Sequence, residues 1–334
     1  MKKKREKKKN KLFLMTIWLL FVAILLATST YAWFSTNRIV YINSLNVNVR
    51  AEGGIEISAD ALKWKTILAI QDLIDAKSDA YPTCINQIPE RLEPVSTGKT
   101  LSNGFLNMYH GTAEINEHGN LILSSTKITE TNSYGELSNG KFIAFDVFLK
   151  TSTPVDLYLT NSSGATYIGD KSVGIENAVR IAFIIECNTP TSSSLNAIQA
   201  MKSGSENTTY IWEPNYDTHT KAAVTNASMI YNINTQENNA SIIPYDGIIN
   251  DFKSKENISV DKATSSNYPE LFKKVIVDIK TPKENNDNVK VFSIESGITK
   301  VRIYMWVEGQ DIDCENNASV GDFSFNVQLT TNRS

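Results

Sequence analysis

The sequence predicts a mainly β protein: an N-terminal transmembrane or signal-anchor helix, then an extracellular antiparallel β-sandwich of jelly-roll or immunoglobulin-like type with one amphipathic helix. Three observations carry this. A basic cluster runs straight into a long uncharged stretch, most of the chain beyond residue 38 follows a period of two, and helical spacing appears between residues 60 and 80.

Residues 1–11 hold eight Lys/Arg against Glu6 alone. From Leu12 to Phe34 no charge occurs, and 23 residues in a helix span roughly 34 Å, enough for the hydrocarbon core of a bilayer. Lysines on the near side place that end in the cytoplasm, and Tyr31, Trp33 and Phe34 suit the far interface. Thr30-Tyr31-Ala32 is also a passable signal-peptidase site, with the cut after Ala32. An uncleaved anchor is the preferred reading and cleavage at Ala32 the alternative; either way the body is exported, and the lipid bilayer is the first partner expected.

In the body, Leu45, Val47 and Val49 alternate with polar residues, as do Phe323, Phe325, Val327 and Leu329. Between them KFIAFDVFLKT (141–151), VDLYLT (155–160), AVRIAFIIE (178–186), KKVIVDIK (273–280), VKVFSI (289–294) and TKVRIYMWVEG (299–309) are rich in β-branched and aromatic residues, with Asn, Gly, Ser and Pro between them. The exception is residues 60–80, where Leu62, Ile67, Leu68, Ile70, Leu73 and Ile74 recur at helical spacing behind Asp60, a candidate N-cap. Polar stretches at 189–195, 203–209 and 281–288 read as surface loops. One domain over 39–331 with polar insertions around 190–270 is the first choice, and two domains the alternative.

Composition narrows the function. Setting the basic cluster and Glu6 aside from totals of 33 Lys/Arg and 36 Asp/Glu leaves 25 against 35, so the body carries about −10. An acidic body is a poor match for a phosphate backbone, and no nucleic-acid partner is expected. Three cysteines, Cys84, Cys187 and Cys314, leave at least one unpaired in a monomer. Cys187 and Cys314 each follow a strand-like segment, making a disulfide between them one alternative and buried small side chains the other.

Signals for chemistry are weak. HExxH is absent, and His110 and His118 stand eight apart with Glu114 and Glu117 between them, which matches no zinc pattern and reads as a solvated, turn-rich loop. Asp311, Asp313, Glu315 and Asn316 place oxygens as a calcium loop does but lack the glycine and distal glutamate of an EF-hand. No cofactor, metal or catalytic set is assigned. Trp212 and Tyr216 in YIWEPNYDTHT, with Tyr304 and Trp306, offer faces on which sugars would stack, a reading that burial of both tryptophans would remove. Seven Asn-x-Ser/Thr sequons, the first at Asn161, are expected by chance in a chain this rich in Asn, Ser and Thr.

The run ATSTYAWFSTNR, through Thr30, Tyr31, Ala32, Trp33, Phe34 and Ser35, resembles the leader junction of the TasA/camelysin family of Gram-positive surface and biofilm-fibre proteins. VRIYMWVEGQDIDCEN, from Val301, looks like a segment that recurs in exported proteins of the same bacteria. The match covers about a tenth of the chain. The Gly-Gly that precedes the family's motif is replaced by Leu25-Leu26-Ala27-Thr28-Ser29, which makes the segment more membrane-like. The resemblance implies an exported jelly-roll-like domain able to self-associate by strand exchange. Camelysin's association with proteolysis carries no catalytic residue over to this chain. The expected function is therefore a non-enzymatic cell-surface or matrix structural protein, with a surface adhesin for glycans or peptidoglycan as the alternative.

Overall fold

The computed structural model describes Met15, Trp18, residues 40–41 and 48–51, and residues 54–332 apart from 77–79, 116–120, 136–139, 169–173, 203–207, 226–244, 254–263, 282–287 and 315–321. The basic cluster, Ala32 and nearly all of the 12–34 segment lie outside the described residues, and among those described no helix is long and apolar enough to cross a membrane.

The chain is mainly β. In order, the strands that build the main layers are β1 Asn48–Ala51, β2 Glu56–Ser58, β3 Ile67–Leu68, β4 Gln87–Pro89, β5 Met108–Ile115, β6 Leu121–Ile128, β7 Ser133–Gly135, β8 Ile143–Thr151, β9 Val155–Leu159 and β10 Gly164–Ile168. They continue with β11 Val179–Thr189, β12 Thr209–Glu213, β13 Asp246–Ile248, β14 Phe252–Lys253, β15 Phe272–Lys274, β16 Ile279–Lys280, β17 Val289–Ile294, β18 Gly297–Val307 and β19 Asp322–Thr330. A central sheet runs β7-β4-β8-β18-β11-β12-β16 with β2 also on β8, and a second runs β17-β9-β19-β1-β3 with β10 also on β19.

Alternation decides how the two sheets meet. Ile143, Phe145, Val147 and Leu149 of β8, Ile181 and Phe183 of β11 and Val301, Ile303 and Met305 of β18 share one apolar core with Leu157, Phe292, Phe323, Phe325, Val327 and Leu329 of the second sheet. Each such side chain contributes about 1.5–3 kcal/mol when fully buried, so this seam dominates the fold's stability.

The other face of the central sheet is buried too. Ala144, Ala182, Ile184, Tyr304 and Trp306 pack there against Val95, Leu106, Met108, Tyr245 and Val275, and Phe148 packs with Tyr81, Cys84, Ile198 and Met201. Every residue of β18 is buried as a result. The β5–β6 hairpin, extended by β14, and the β13–β15 pair form smaller sheets over this layer and enclose Tyr109, Leu123, Ile248 and Phe272. His110, expected in a solvated loop, lies inside β5 and is paired with Thr126.

Several expectations are corrected in detail. The helix predicted over 60–80 forms only at Ile70–Asp75. Asp60 does not cap it: its carboxylate accepts the N–H groups of Leu62 and Lys63 at 2.8 Å each, and Ala61 takes φ 62°, a local turn that stops a helix from starting. Asp72 instead receives the Ala69 N–H, 3.0 Å away. A second short helix covers Leu195–Gln199, capped by Ser194, where the sequence reads as a loop ending in Leu195. The run 273–280 breaks into β15 and β16 because it changes partner, from Asp246–Ile248 to Trp212–Glu213. Not all of 190–270 is an excursion, since β12 is an internal strand of the central sheet. The sheets also contain parallel pairs, β1 with β19, β4 with β7 and β12 with β16.

Gly297, which opens β18, has φ +123°, and a Cβ there would sit 2.4 Å from the Thr189 carbonyl oxygen. Gly297→Ala is therefore expected to cost about 1–3 kcal/mol, measured as a lower urea midpoint with an unchanged m-value.

Candidate functional site

The chain's distinguishing chemistry lies on the outer face of the central sheet, where charges alternate with apolar residues in three adjacent strands. β8 contributes Asp146, β11 contributes Arg180 and Glu186, and β18 contributes Lys300 and Arg302. All five are buried. Segments 80–88, 105–109, 195–201 and 245–248, placed over this face by the outer packing, exclude water from it.

One cluster centres on Arg302. Its Nη1 donates to Asp146 Oδ1 at 2.7 Å, Nη2 to the Ile85 carbonyl at 2.8 Å and to Glu130, and Nε to Tyr304 Oη at 3.1 Å. The Tyr304 hydroxyl donates to Glu130 and accepts the Leu106 N–H. Asp146 also receives the Tyr81 hydroxyl at 2.8 Å. Lys300 Nζ reaches Glu186 Oε2 at 2.9 Å, Asp146 Oδ2 at 3.1 Å and the Met201 carbonyl at 2.9 Å. Between Ile185 and Cys187 the register of β11 shifts, so the extra residue, Glu186, lies against Lys300. Burial pushes the Asp146 carboxyl up, but Arg302 and Lys300 outweigh it and hold it below the usual carboxylate range. Glu186 is raised to about 7 by burial and by the Asp146 charge, which Lys300 only partly offsets.

The second cluster centres on Arg180. Its Nη2 meets Glu213 Oε1 at 3.0 Å and Asp311, Nη1 donates to the carbonyls of Val179 and Asn177, and the guanidinium carbon lies 5.1 Å from the centre of the Tyr245 ring. Asp313 holds His219 Nδ1 at 2.6 Å and the Thr220 N–H at 2.9 Å, while Asp311 accepts the Asp313 N–H. Glu308 accepts from Trp306 Nε1 and from the Gln310 N–H. Four carboxyl groups thus surround one guanidinium and one imidazole. Burial raises Glu213 and Glu308 each to about 7, and Asp311 rises as well. Burial alone would lower His219; the bond to Asp313 reverses that and lifts it above its ordinary value. Arg180 Nε, Glu213 Oε2, His219 Nε2 and the Tyr245 hydroxyl make no hydrogen bond within the protein, the positions at which buried water is normally held.

The acidic run at 311–316 is therefore not a solvent-facing calcium loop in its described part, because Asp311 and Asp313 turn inward to Arg180 and His219. Among the described residues no group of three or more His, Cys, Asp or Glu side chains is arranged to hold a metal ion. A surface hollow of about 40 Å³ beside Ile70–Asp75, lined by Asp60, Lys63, Lys65 and Asp72, is far smaller than the roughly 300 Å³ at which small-molecule sites begin.

The residues singled out from sequence are not brought together. Trp212 is fully buried in the core between the sheets, with Nε1 donating to Thr281 Oγ1 at 2.8 Å, and Trp306 is fully buried on the opposite face. Stacking of a sugar on Trp212 is thereby ruled out, and Tyr216 is half-buried in the turn after β12. The Cys187–Cys314 disulfide is also corrected: both thiols are free. β11 and β18 are antiparallel, so Cys187 lies beside Lys300 while Cys314 follows the far end of β18, near Val179. Eight strand residues from Val179 to Cys187 amount to about 26 Å, against the 7 Å or less that a disulfide allows between Cα atoms. Cys84 and Cys314 are buried and Cys187 exposed; burial pushes the Cys84 thiol up to about 12. A thiol reagent is therefore expected to label Cys187 alone in the native protein and all three after denaturation, as counted by mass spectrometry.

The buried ions themselves carried a signal in the sequence: FDVF, VRIAFIIE and KVRIYMWVE set charges among residues that are apolar on both faces. Comparison with protein-family models, curated proteins and solved structures finds no match to this chain.

Proposed function

We propose that this chain is an exported, non-enzymatic structural protein of the bacterial cell surface or its matrix, held at the membrane by residues 12–34, its body an antiparallel β-sandwich of jelly-roll or immunoglobulin-like type. The observation that carries the reading is what the body does with its N-terminal strands. Val40–Tyr41 pairs with Arg91–Leu92, and β1 lies between β19 and β3, parallel to the C-terminal strand. Of the segment that would leave the bilayer, residues 40–41 and 48–51 are thus built into the chain's own sheets. A strand used at home is not available to a neighbour, which supports a tethered body over one that donates this strand in exchange. Residues 35–39 span at most about 18 Å when extended, so the body would sit close to the membrane surface.

The leader junction's resemblance to TasA/camelysin proteins and the acidic body support export to a Gram-positive surface, with secretion as the outcome if the chain is cut at Ala32. Burial of Trp212 and Trp306 removes the motive for the glycan-adhesin alternative. Protease treatment of intact host cells tests the proposal: digestion of the body with a membrane-retained N-terminal fragment is expected. Full protection until the cells are lysed would overturn it.

A further inference from the structure

Val40–Tyr41, where the chain enters the body, pairs with Arg91–Leu92, and the strand pairings locate this ribbon at one end of the sandwich. The Glu93 N–H donates to the Lys141 carbonyl just ahead of β8, and the Val95 N–H to the carbonyl of Val307, the last residue of β18. β8 runs away from this end to Thr151, and β9, which follows at the far end, pairs Tyr158 with Thr330 at the close of β19. β19 therefore starts at the entry end. Its partner β10 finishes there, with Ile168 beside Asp322.

We propose that this end of the body rests on the outer surface of the bilayer, with Ile168 and Tyr134 set into the headgroup layer on either side of the entering chain. The inference rests on the membrane tether proposed above. Residues 35–39 reach at most about 18 Å, and the headgroup layer takes up roughly 6 Å of that. A link so short makes docking intramolecular, at effective concentrations on the order of millimolar, so a few contacts suffice.

The two side chains suit that depth. Ile168 is 68% exposed and Tyr134 49%. In β10, Ala165 and Tyr167 turn inward to the core, which leaves Thr166 and Ile168 on the outer face. Tyr134 belongs to β7, whose Gly135 pairs with Pro89, two residues ahead of Arg91. A tyrosine fits the headgroup level, where its ring is apolar and its hydroxyl stays wet, and an exposed isoleucine gains by leaving water.

Charge favours this end as well. An anionic lipid surface repels an acidic body. At the entry end, however, Glu213, Glu308, Asp311 and Asp313 are buried around Arg180 and His219, while Arg91 is exposed. Glu90 is the exposed acid beside it.

The test uses the full chain in vesicles of phosphatidylethanolamine and phosphatidylglycerol, with an environment-sensitive fluorophore on one exposed thiol. Ile168→Cys in a Cys187→Ser chain places it at the entry end. In the wild type, Cys187 carries it near the opposite end, beside Lys300, while Cys84 and Cys314 are buried. Flotation with the vesicles reports the tether, and quenching by a spin label at headgroup depth reports the contact. The chain is expected to float, with the label at position 168 blue-shifted and quenched and the label at Cys187 emitting as it does in water. A chain that floats with the two labels equally solvent-like would overturn the docked end and leave the tether standing. Equal quenching of both would overturn it too, because the body would then lie flat. A chain that stays off the vesicles would remove the tether and the docked end together.

Discussion

Arg302→Ala is expected to destabilise the protein by about 3–5 kcal/mol, the cost of leaving a buried charge without its partner. The guanidinium is the only cation in contact with Glu130 among the described ion pairs, and it shares Asp146 with Lys300. Removal leaves Glu130 facing the Tyr304 hydroxyl alone and strips Asp146 of its Nη1 donor, both in a buried layer. Arg302→Lys keeps the charge but supplies a point donor where the site uses a planar fork, and an intermediate loss is expected. Urea unfolding followed by tryptophan fluorescence checks both variants. An alanine variant within 1 kcal/mol of wild type would mean that this face of the sheet is wet.

Stability is expected to fall as pH rises from 5 to 8. Glu213 and Glu308 sit at about 7 in the folded chain, because burial penalises their charged forms, against an ordinary value of 4.5. A carboxyl raised on folding binds its proton more tightly in the native state. Its contribution is thus complete below the unfolded value and is lost as pH climbs through about 7. Between those limits each excess proton is worth about 1.4 kcal/mol per pH unit. His219 acts in the same direction, since Asp313 raises it above 6.5 and its support is lost as pH rises through the folded value. Asp146 acts in the opposite sense: it is lowered from 3.8, so its support holds above that value and is lost as pH falls through its folded pKa. Urea titrations at pH 5, 6, 7 and 8 read the slope, and Glu308→Gln is expected to flatten it by one proton. A stability that climbs across this range would contradict the arrangement of the Arg180 cluster.

The strands of the inter-sheet core were legible because their apolar residues alternate: Ile143, Phe145, Val147 and Leu149, or Phe323, Phe325, Val327 and Leu329, can share a face only in an extended chain. The buried outer face was harder to read. Asp146, Lys300 and Arg302 look like a solvent face until Ala144, Phe148, Tyr304 and Trp306, on that same side, are counted with them. What covers that face comes largely from irregular segments and short strands around Tyr81, Leu106, Met201 and Tyr245, which leave no periodic trace. Cys187 and Cys314 misled for a topological reason: Cys187 lies within β11 beside Lys300 while Cys314 follows β18, and antiparallel neighbours run to opposite ends of a sheet. The 60–80 segment misled through a turn: the Asp60 carboxylate bonds the backbone of Leu62 and Lys63 ahead of any helix.

The most direct test of the tethered body is the N-terminus of the mature protein, read by mass spectrometry on material from the membranes and the medium of the native host. Membrane-bound protein that retains peptides from the lysine-rich residues 1–11 is the expected result. A mature chain that begins at Trp33 and is recovered as fibres from the medium would contradict the tether and put a secreted subunit in its place.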